Sequence, residues 1–174
     1  MNAIPKYPHT DDPHMRFVPD AVVVSERVEI DAPAEVVWSI LIDMPRYGEW
    51  NPFCVKCDST LQMGAPVNMT LKDYTNLPNG GTFPNVEFVC AFEPPRLISW
   101  QLPWSEAWPY AARRDQIIEP LSAKRCSYYS TDAFFGDNGI HVMRFAGPWV
   151  KRAFDDTARA LKQRAEAMQR GEIR

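Results

Sequence analysis

The stretch Val22-Val-Val-Ser-Glu-Arg-Val-Glu-Ile-Asp-Ala-Pro-Ala-Glu-Val-Val-Trp-Ser-Ile-Leu41 changes its hydrophobic period partway along, and that change decides the fold class. Val22, Val24, Val28 and Ile30 share one parity, the period-2 signature of a strand with one buried face. Asp31 then offers a helix cap, and Pro33 sits early in the next segment, where a missing N–H costs little. Val37, Ile40 and Leu41 recur at helical spacing with Trp38 beside them. Pro45 restarts the chain after Asp43, which predicts a second short helix around Pro45 to Trp50 and a V-shaped element of two helices.

Downstream of the V the pattern is strands and turns. Val55 to Leu61 and Pro66 to Lys72 read as a pair joined at Gly64, and residues 76–81 as a loop. Asn85 to Phe92 alternates, with Val86, Phe88, Cys90 and Phe92 on the face expected to be buried. Pro94 and Pro95 interrupt, and Leu97 to Leu102 resumes with Ile98, Trp100 and Leu102 together. A proline-bounded loop, Pro103 to Pro109, carries Trp104 and Trp108, whose large apolar side chains suggest a lid or a partner surface. Ala112 to Glu119 and Arg125 to Phe135 form the last two strands. Gly147-Pro148 predicts the start of a long helix with an apolar side made of Trp149, Val150, Ala153, Phe154, Thr157 and Leu161. Strands in a run with helices segregated at the ends define an α+β fold on an antiparallel sheet. Residues 1–20, with Pro5, Pro8, Pro13 and Pro19, read as an arm that drapes over the body or stays mobile, and residues 21–174 as one domain.

Composition narrows the function. The 174 residues are 45% hydrophobic and 24% charged, enough to bury a core without a disulfide or a metal. The net charge of -3 and the lack of a Lys/Arg block leave no footprint for nucleic acid. No apolar run reaches the length of a membrane span, and no secretory signal is read, so a cytoplasmic location is expected. Cys54, Cys57, Cys90 and Cys126 are expected as free thiols. Cys54-Val-Lys-Cys57 alone is a weak metal signal, because a regular strand points its two thiols to opposite faces. His9, Asp11, Asp12 and His14 carry metal-ligand chemistry but lie in the arm. No Ser-His-Asp set or phosphate-binding glycine loop is present, so no metal and no cofactor are expected.

Three motifs in order carry a family resemblance: Val28-Glu-Ile-Asp-Ala-Pro-Ala-Glu-Val-Val-Trp38, Asp43-Met-Pro-Arg-Tyr-Gly-Glu-Trp-Asn-Pro-Phe53 and Phe92-Glu-Pro-Pro-Arg-Leu-Ile-Ser-Trp100. Together with Leu161-Lys-Gln-Arg-Ala-Glu166, they resemble the START-like (SRPBCC) superfamily and within it the polyketide cyclase/dehydrase group. The resemblance implies a helix-grip fold, in which a seven-stranded antiparallel sheet wraps a long C-terminal helix and two short helices close one end. It also implies an apolar cavity for a hydrophobic small molecule, such as an aromatic, a lipid or a polyketide, and in some members a cyclase or dehydratase activity. A protein-interaction module is the remaining reading, and homodimer formation stays open.

Candidate site residues follow from parity. Glu26 shares the face of Val24 and Val28, as a cavity acid or base, or else as a strand-end carboxylate that reaches water or an arginine. Arg114, Gln116 and Ile118 share the parity that the resemblance places inward; Arg114 would pair with Glu26 or anchor an oxygen, unless it lies at a solvated strand end. Of the adjacent Tyr128 and Tyr129 only one can face inward, and Tyr129 is chosen as the general-acid candidate. Glu26, Arg114 and Tyr129 are thus the catalytic candidates. Phe88, Phe92, Trp100, Gln116 and Trp149 are the ligand-binding ones. Trp50 and Asn51 are read as structural, holding the second short helix.

Overall fold

The computed structural model describes residues 7, 10–75 and 80–173. Its strands are β1 (Val22–Val24), β2 (Val28–Ile30), β3 (Cys54–Asp58), β4 (Pro66–Lys72), β5 (Thr82–Glu93), β6 (Leu97–Leu102), β7 (Ala111–Ser122) and β8 (Arg125–Phe135). Its α-helices are α1 (Ala34–Ile42) and α2 (Gly139–Gln169), and a 3-10 helix spans Met44–Glu49. The strands form one antiparallel sheet in the order β1-β8-β7-β6-β5-β4-β3, with β2 following β1 along the same edge of β8. The first two strands therefore occupy one position, and the sheet is seven positions wide. The sheet and α2 enclose the main core, which includes Val37, Leu41, Ile98, Trp100, Ile118, Tyr128, Phe154 and Leu161. This is the helix-grip arrangement. The predicted loop at residues 76–81 falls mostly outside the described residues.

The edge strand is where the expected alternation breaks. Val24 pairs with Thr131 and Val28 with Tyr128, so three residues, Ser25 to Arg27, oppose two. That bulge reverses the faces. Val23 and Ser25 are buried inside before it, and Val28 and Ile30 pack on the core after it, while Val22 packs on the opposite side of the sheet. Val22, Val24, Val28 and Ile30 do not share a face.

A second bulge, between Cys54 and Lys56 in β3, has the reverse effect: it brings Cys54 and Cys57 to one buried side, where regular pleating would separate them. A third lies between Val89 and Ala91 in β5. Ahead of it Glu87 and Val89 are buried, whereas Val86 and Phe88 are exposed on the outer face.

Helix α2 begins at Gly139, well before the Gly147-Pro148 pair that the sequence suggests. A β-carbon on Gly139 would stand 2.4 Å from the Phe134 carbonyl oxygen, so only glycine permits so tight a passage from β8 into the helix. Pro148 sits inside α2 at an exposed position, and Arg144, whose carbonyl loses its donor there, is exposed to hydration as well.

The described part of the arm covers the outer face of the sheet. Tyr7, Met15 and Phe17 pack with Trp104 on Ala111, Ala133 and Phe135, and the His14 ring stacks on Trp104 at 4.0 Å. Trp104 is therefore held under the arm, and of the two loop tryptophans only Trp108 stands out, 61% exposed. His14 is engaged with that indole, and His9 lies outside the described residues. Beneath the arm Asp115 is completely buried, with the Arg113 guanidinium 2.8 Å away, the Tyr7 hydroxyl donating at 3.1 Å, and the Ser99 and Thr131 hydroxyls also on its carboxylate. Tyr7→Phe removes a hydrogen bond to a charged acceptor and is expected to cost about 1–2 kcal/mol in chemical denaturation. An unchanged denaturation midpoint would mean that the arm does not clasp the body in solution.

Candidate functional site

The enclosed space of the helix-grip core lies against β6 and β7, under α1, the 3-10 helix and α2. Leu41, Trp50, Phe53, Trp100, Arg114, Gln116 and Phe154 are among its walls, with Asn51, Cys54, Met69 and Thr157. Its cavity volume is only about 20 Å³. In this conformation the cavity takes about one water, and a larger guest needs its walls to part. A second cleft of about 120 Å³ lies outside, between α1 and the end of α2, and Trp50 is a wall of both.

Asn51 holds the lower wall. Its Oδ1 accepts from the backbone N–H of Phe53 at 2.9 Å and of Cys54 at 2.8 Å, and lies 3.3 Å from the Thr157 hydroxyl of α2. The side chain mimics a turn and fixes the entry to β3 against the long helix. Asn51→Ala strands those buried N–H groups and is expected to lower stability by about 1–3 kcal/mol. A loss below 0.5 kcal/mol, read by urea denaturation, would show that water replaces the amide there.

Across the sheet, Trp100, Arg114 and Asp132 stand side by side in register on β6, β7 and β8. The Arg114 guanidinium lies 3.3 Å from Glu87 and 3.5 Å from Asp132, and all three side chains are buried. It also sits 5.0 Å from the Phe154 ring centre. One cation therefore serves two buried carboxylates. Burial pushes the Asp132 carboxyl up to about 7 against the opposing pull of Arg114, and burial raises Glu87 as well. The pair can thus retain a proton near neutral pH. The Tyr128 hydroxyl donates to Gln116 Oε1, and burial raises the phenol, which keeps it protonated as a donor.

Because the native Asp132 holds its proton to higher pH than the unfolded chain does, the native state binds the extra proton between roughly the ordinary carboxylate range and 7. Stability is expected to fall as pH rises through that window, by at most about 1.4 kcal/mol per pH unit for one proton. Glu49, held down to about 2 by hydrogen bonds from Arg46 and Arg164, acts in the opposite sense only under more acid conditions. Asp132→Asn should flatten the slope between pH 5 and 7; a slope that survives in this variant assigns the titration elsewhere.

The cavity carries another electrostatic mark. The indole Nε1–H of Trp50 and of Trp100 and the Nε–H of Arg114 are buried without a hydrogen-bond partner, and all three residues line the space. Buried donors without acceptors are costly, and a cluster of them around one cavity is what a guest with acceptor oxygens would satisfy.

Of the residues singled out from the sequence, Arg114, Gln116 and Trp100 stand in the cavity wall. Glu26 does not: the bulge turns it away, its backbone N–H donates to Asp155 and its carboxylate pairs with Arg159 of α2 at 2.8 Å. Arg114 pairs with Glu87 and Asp132 in its place. Tyr129 lies on the outer face with the Arg27 guanidinium 4.1 Å above its ring, and Tyr128 occupies the inner position. Phe88, 37% exposed, is on the outer face; Phe92, also 37% exposed, edges onto Trp38 at the rim. Trp149 packs beside Phe53 behind the wall. Glu87, Asp132, Trp50, Phe53 and Phe154 were not anticipated as site residues. The β7–β8 hairpin held a clue, because a register that sets Arg114 opposite Asp132 is the one that pairs opposite charges.

A curved antiparallel sheet closed over one long helix, with a donor-lined cavity between them, defines a helix-grip protein. Residues 21–166 match the model of the family described as polyketide cyclase / dehydrase and lipid transport, and the chain belongs to that family. No match among curated proteins was found. Solved structures share the fold at low identity. The Zhui aromatase/cyclase from Streptomyces sp. R1128 is 19% identical, with a TM-score of 0.64 over 87% of this chain and 96% of its own. A START superfamily protein from Mycobacterium smegmatis is 20% identical, with a TM-score of 0.58 over 84% and 98%. Protein NE0264 from Nitrosomonas europaea is 14% identical, with a TM-score of 0.66 over 90% and 99%. Among the described residues no helix is long and apolar enough to cross a membrane.

Proposed function

We propose that this protein binds a small, largely apolar molecule that bears acceptor oxygens, such as a phenolic or polyketide-like aromatic, in the cavity between sheet and helix. The observation that carries the reading is that the three residues Trp50, Trp100 and Arg114, each with an unpartnered buried donor, line one space together with Leu41, Phe53, Met69 and Phe154. Apolar walls with a few placed donors suit an aromatic body with carbonyl or hydroxyl oxygens. Membership of a family described by polyketide cyclisation and lipid transport supports the same class of guest. The narrowness of the space implies that the walls move apart on binding, and Trp50, the partition toward the outer cleft, is the wall with room to move into. Native mass spectrometry of freshly purified protein should show a retained organic adduct that leaves on denaturation. A chain found only at its sequence mass, which also takes up no phenol or aromatic ketone when these are offered, would contradict the proposal.

A second reading, a cyclase or dehydratase, is favoured by one observation: two buried carboxyls, Glu87 and Asp132, flank the Arg114 guanidinium at 3.3 and 3.5 Å, and burial raises both. Arg114 would hold a carbonyl or enolate oxygen and the carboxylates would exchange a proton with the bound molecule, while much of the rate came from holding a flexible chain in a productive fold. Asp132→Asn separates the two readings. It abolishes turnover with affinity kept if the site is catalytic, and changes affinity alone if the protein only binds.

A further inference from the structure

Sulfur is concentrated in one part of the core. Because of the bulge between Cys54 and Lys56, Cys54 and Cys57 of β3 both face inward and both are buried. Met69 stands opposite Cys57 in register on β4 and is buried too. From the 3-10 helix, buried Met44 brings its Sδ to 3.3 Å from the Cys57 Sγ, so that thiol has another sulfur as its hydrogen-bond partner. Three separate elements thus deliver two thiols and two thioethers to one region.

We propose that Cys54, Cys57 and Met44 form a binding site for Cu(I), with the Met69 thioether adjacent. Soft thiolate and thioether ligands select Cu(I), whereas a structural zinc site calls for four thiolate or imidazole ligands and only two such groups are here. Binding breaks two S–H bonds and forms two Cu–thiolate bonds, and the Met44 thioether adds a third, dative Cu–S bond in which no proton is lost. Two protons leave to solvent, the copper remains Cu(I) and no electron is transferred. The bis-thiolate complex carries one negative charge, and the Arg114 guanidinium, which lines the cavity together with Cys54, is the cation placed to meet it. The two thiols already influence each other: hydrogen bonding with Cys57, helped by Arg114, lowers Cys54, and the same pairing raises Cys57.

The test is an anaerobic titration of the full chain with Cu(I) against the chromophoric chelator bicinchoninate, with no organic ligand added, so that its outcome is independent of the cavity's other occupant. The C90S/C126S variant, whose only thiols are Cys54 and Cys57, should hold one equivalent of copper. Adding C54S/C57S should weaken binding by at least 100-fold, and Met44→Leu by roughly tenfold, the scale on which loss of a supporting partner acts. Where a variant does not fold, X-ray absorption at the copper edge of the loaded wild-type chain reads the ligands directly, and a shell of sulfur alone is expected. Wild-type protein that retains no more copper than C54S/C57S, or a copper shell containing nitrogen or oxygen, overturns the proposal.

Discussion

Arg114→Ala is expected to destabilise the protein by about 3–5 kcal/mol at neutral pH, because it leaves buried carboxylates without their cation. Glu87 and Asp132 are nearly inaccessible to water, and Arg114 is the cation 3.3 and 3.5 Å from them. In the variant the two carboxyls can escape only by taking up protons. The loss should therefore be larger at pH 8 than at pH 5, since acid supplies the protons that the missing guanidinium made unnecessary. Adding Asp132→Asn and Glu87→Gln to Arg114→Ala should recover part of the loss, because a neutral group that finds a hydrogen bond costs far less to bury than a charge. Urea denaturation of these variants at the two pH values checks the whole scheme. A loss below about 1 kcal/mol for Arg114→Ala at pH 8 would mean that water reaches the triad.

Trp100 supports both the fold and the proposed function, and two substitutions separate these roles. Trp100→Ala removes a large buried side chain beside Arg114 and is expected to cost about 3–5 kcal/mol. Trp100→Phe keeps most of the packing and deletes an N–H that has no partner in the protein. Removing an unsatisfied buried donor carries little penalty, so its stability should stay close to wild type while affinity for an oxygen-bearing guest falls. Equal affinity in Trp100→Phe and wild type would show that this indole does not meet the guest.

The sequence made the fold legible because its signals are local and agree with one another. The change of period at Asp31, the proline after Asp43, the turn chemistry at Gly64 and Pro94-Pro95 and the long amphipathic segment after Gly147 each mark an element or its end. The site was only partly legible, and the cause is the same at each failure. Parity assigns a face only while pairing is regular. A single extra residue at Ser25–Arg27 moved Glu26 to Arg159, another in β3 united Cys54 with Cys57, and a third lies within β5. β7 is regular through its middle, and there Arg114, Gln116 and Ile118 face inward together. In β5 the apolar alternation of Val86 and Phe88 pointed to the wrong side, because the outer face is apolar there and the inner face carries a glutamate paired with Arg114 of β7, two strands away. A charge buried by pairing across a sheet is invisible to any pattern confined to one strand.

Recognition of an oxygen-bearing apolar guest by the donors of this cavity is read from the indole N–H resonances of ¹⁵N-labelled protein titrated with 1-naphthol and, separately, with naphthalene. The two compounds share a ring skeleton and differ in one oxygen. With 1-naphthol the Trp50 and Trp100 indole protons should move downfield as they gain an acceptor, and naphthalene should bind more weakly without that shift. If neither indole responds to 1-naphthol, or if the two compounds bind alike and shift both resonances equally, the donors of Trp50 and Trp100 do not recognise the guest.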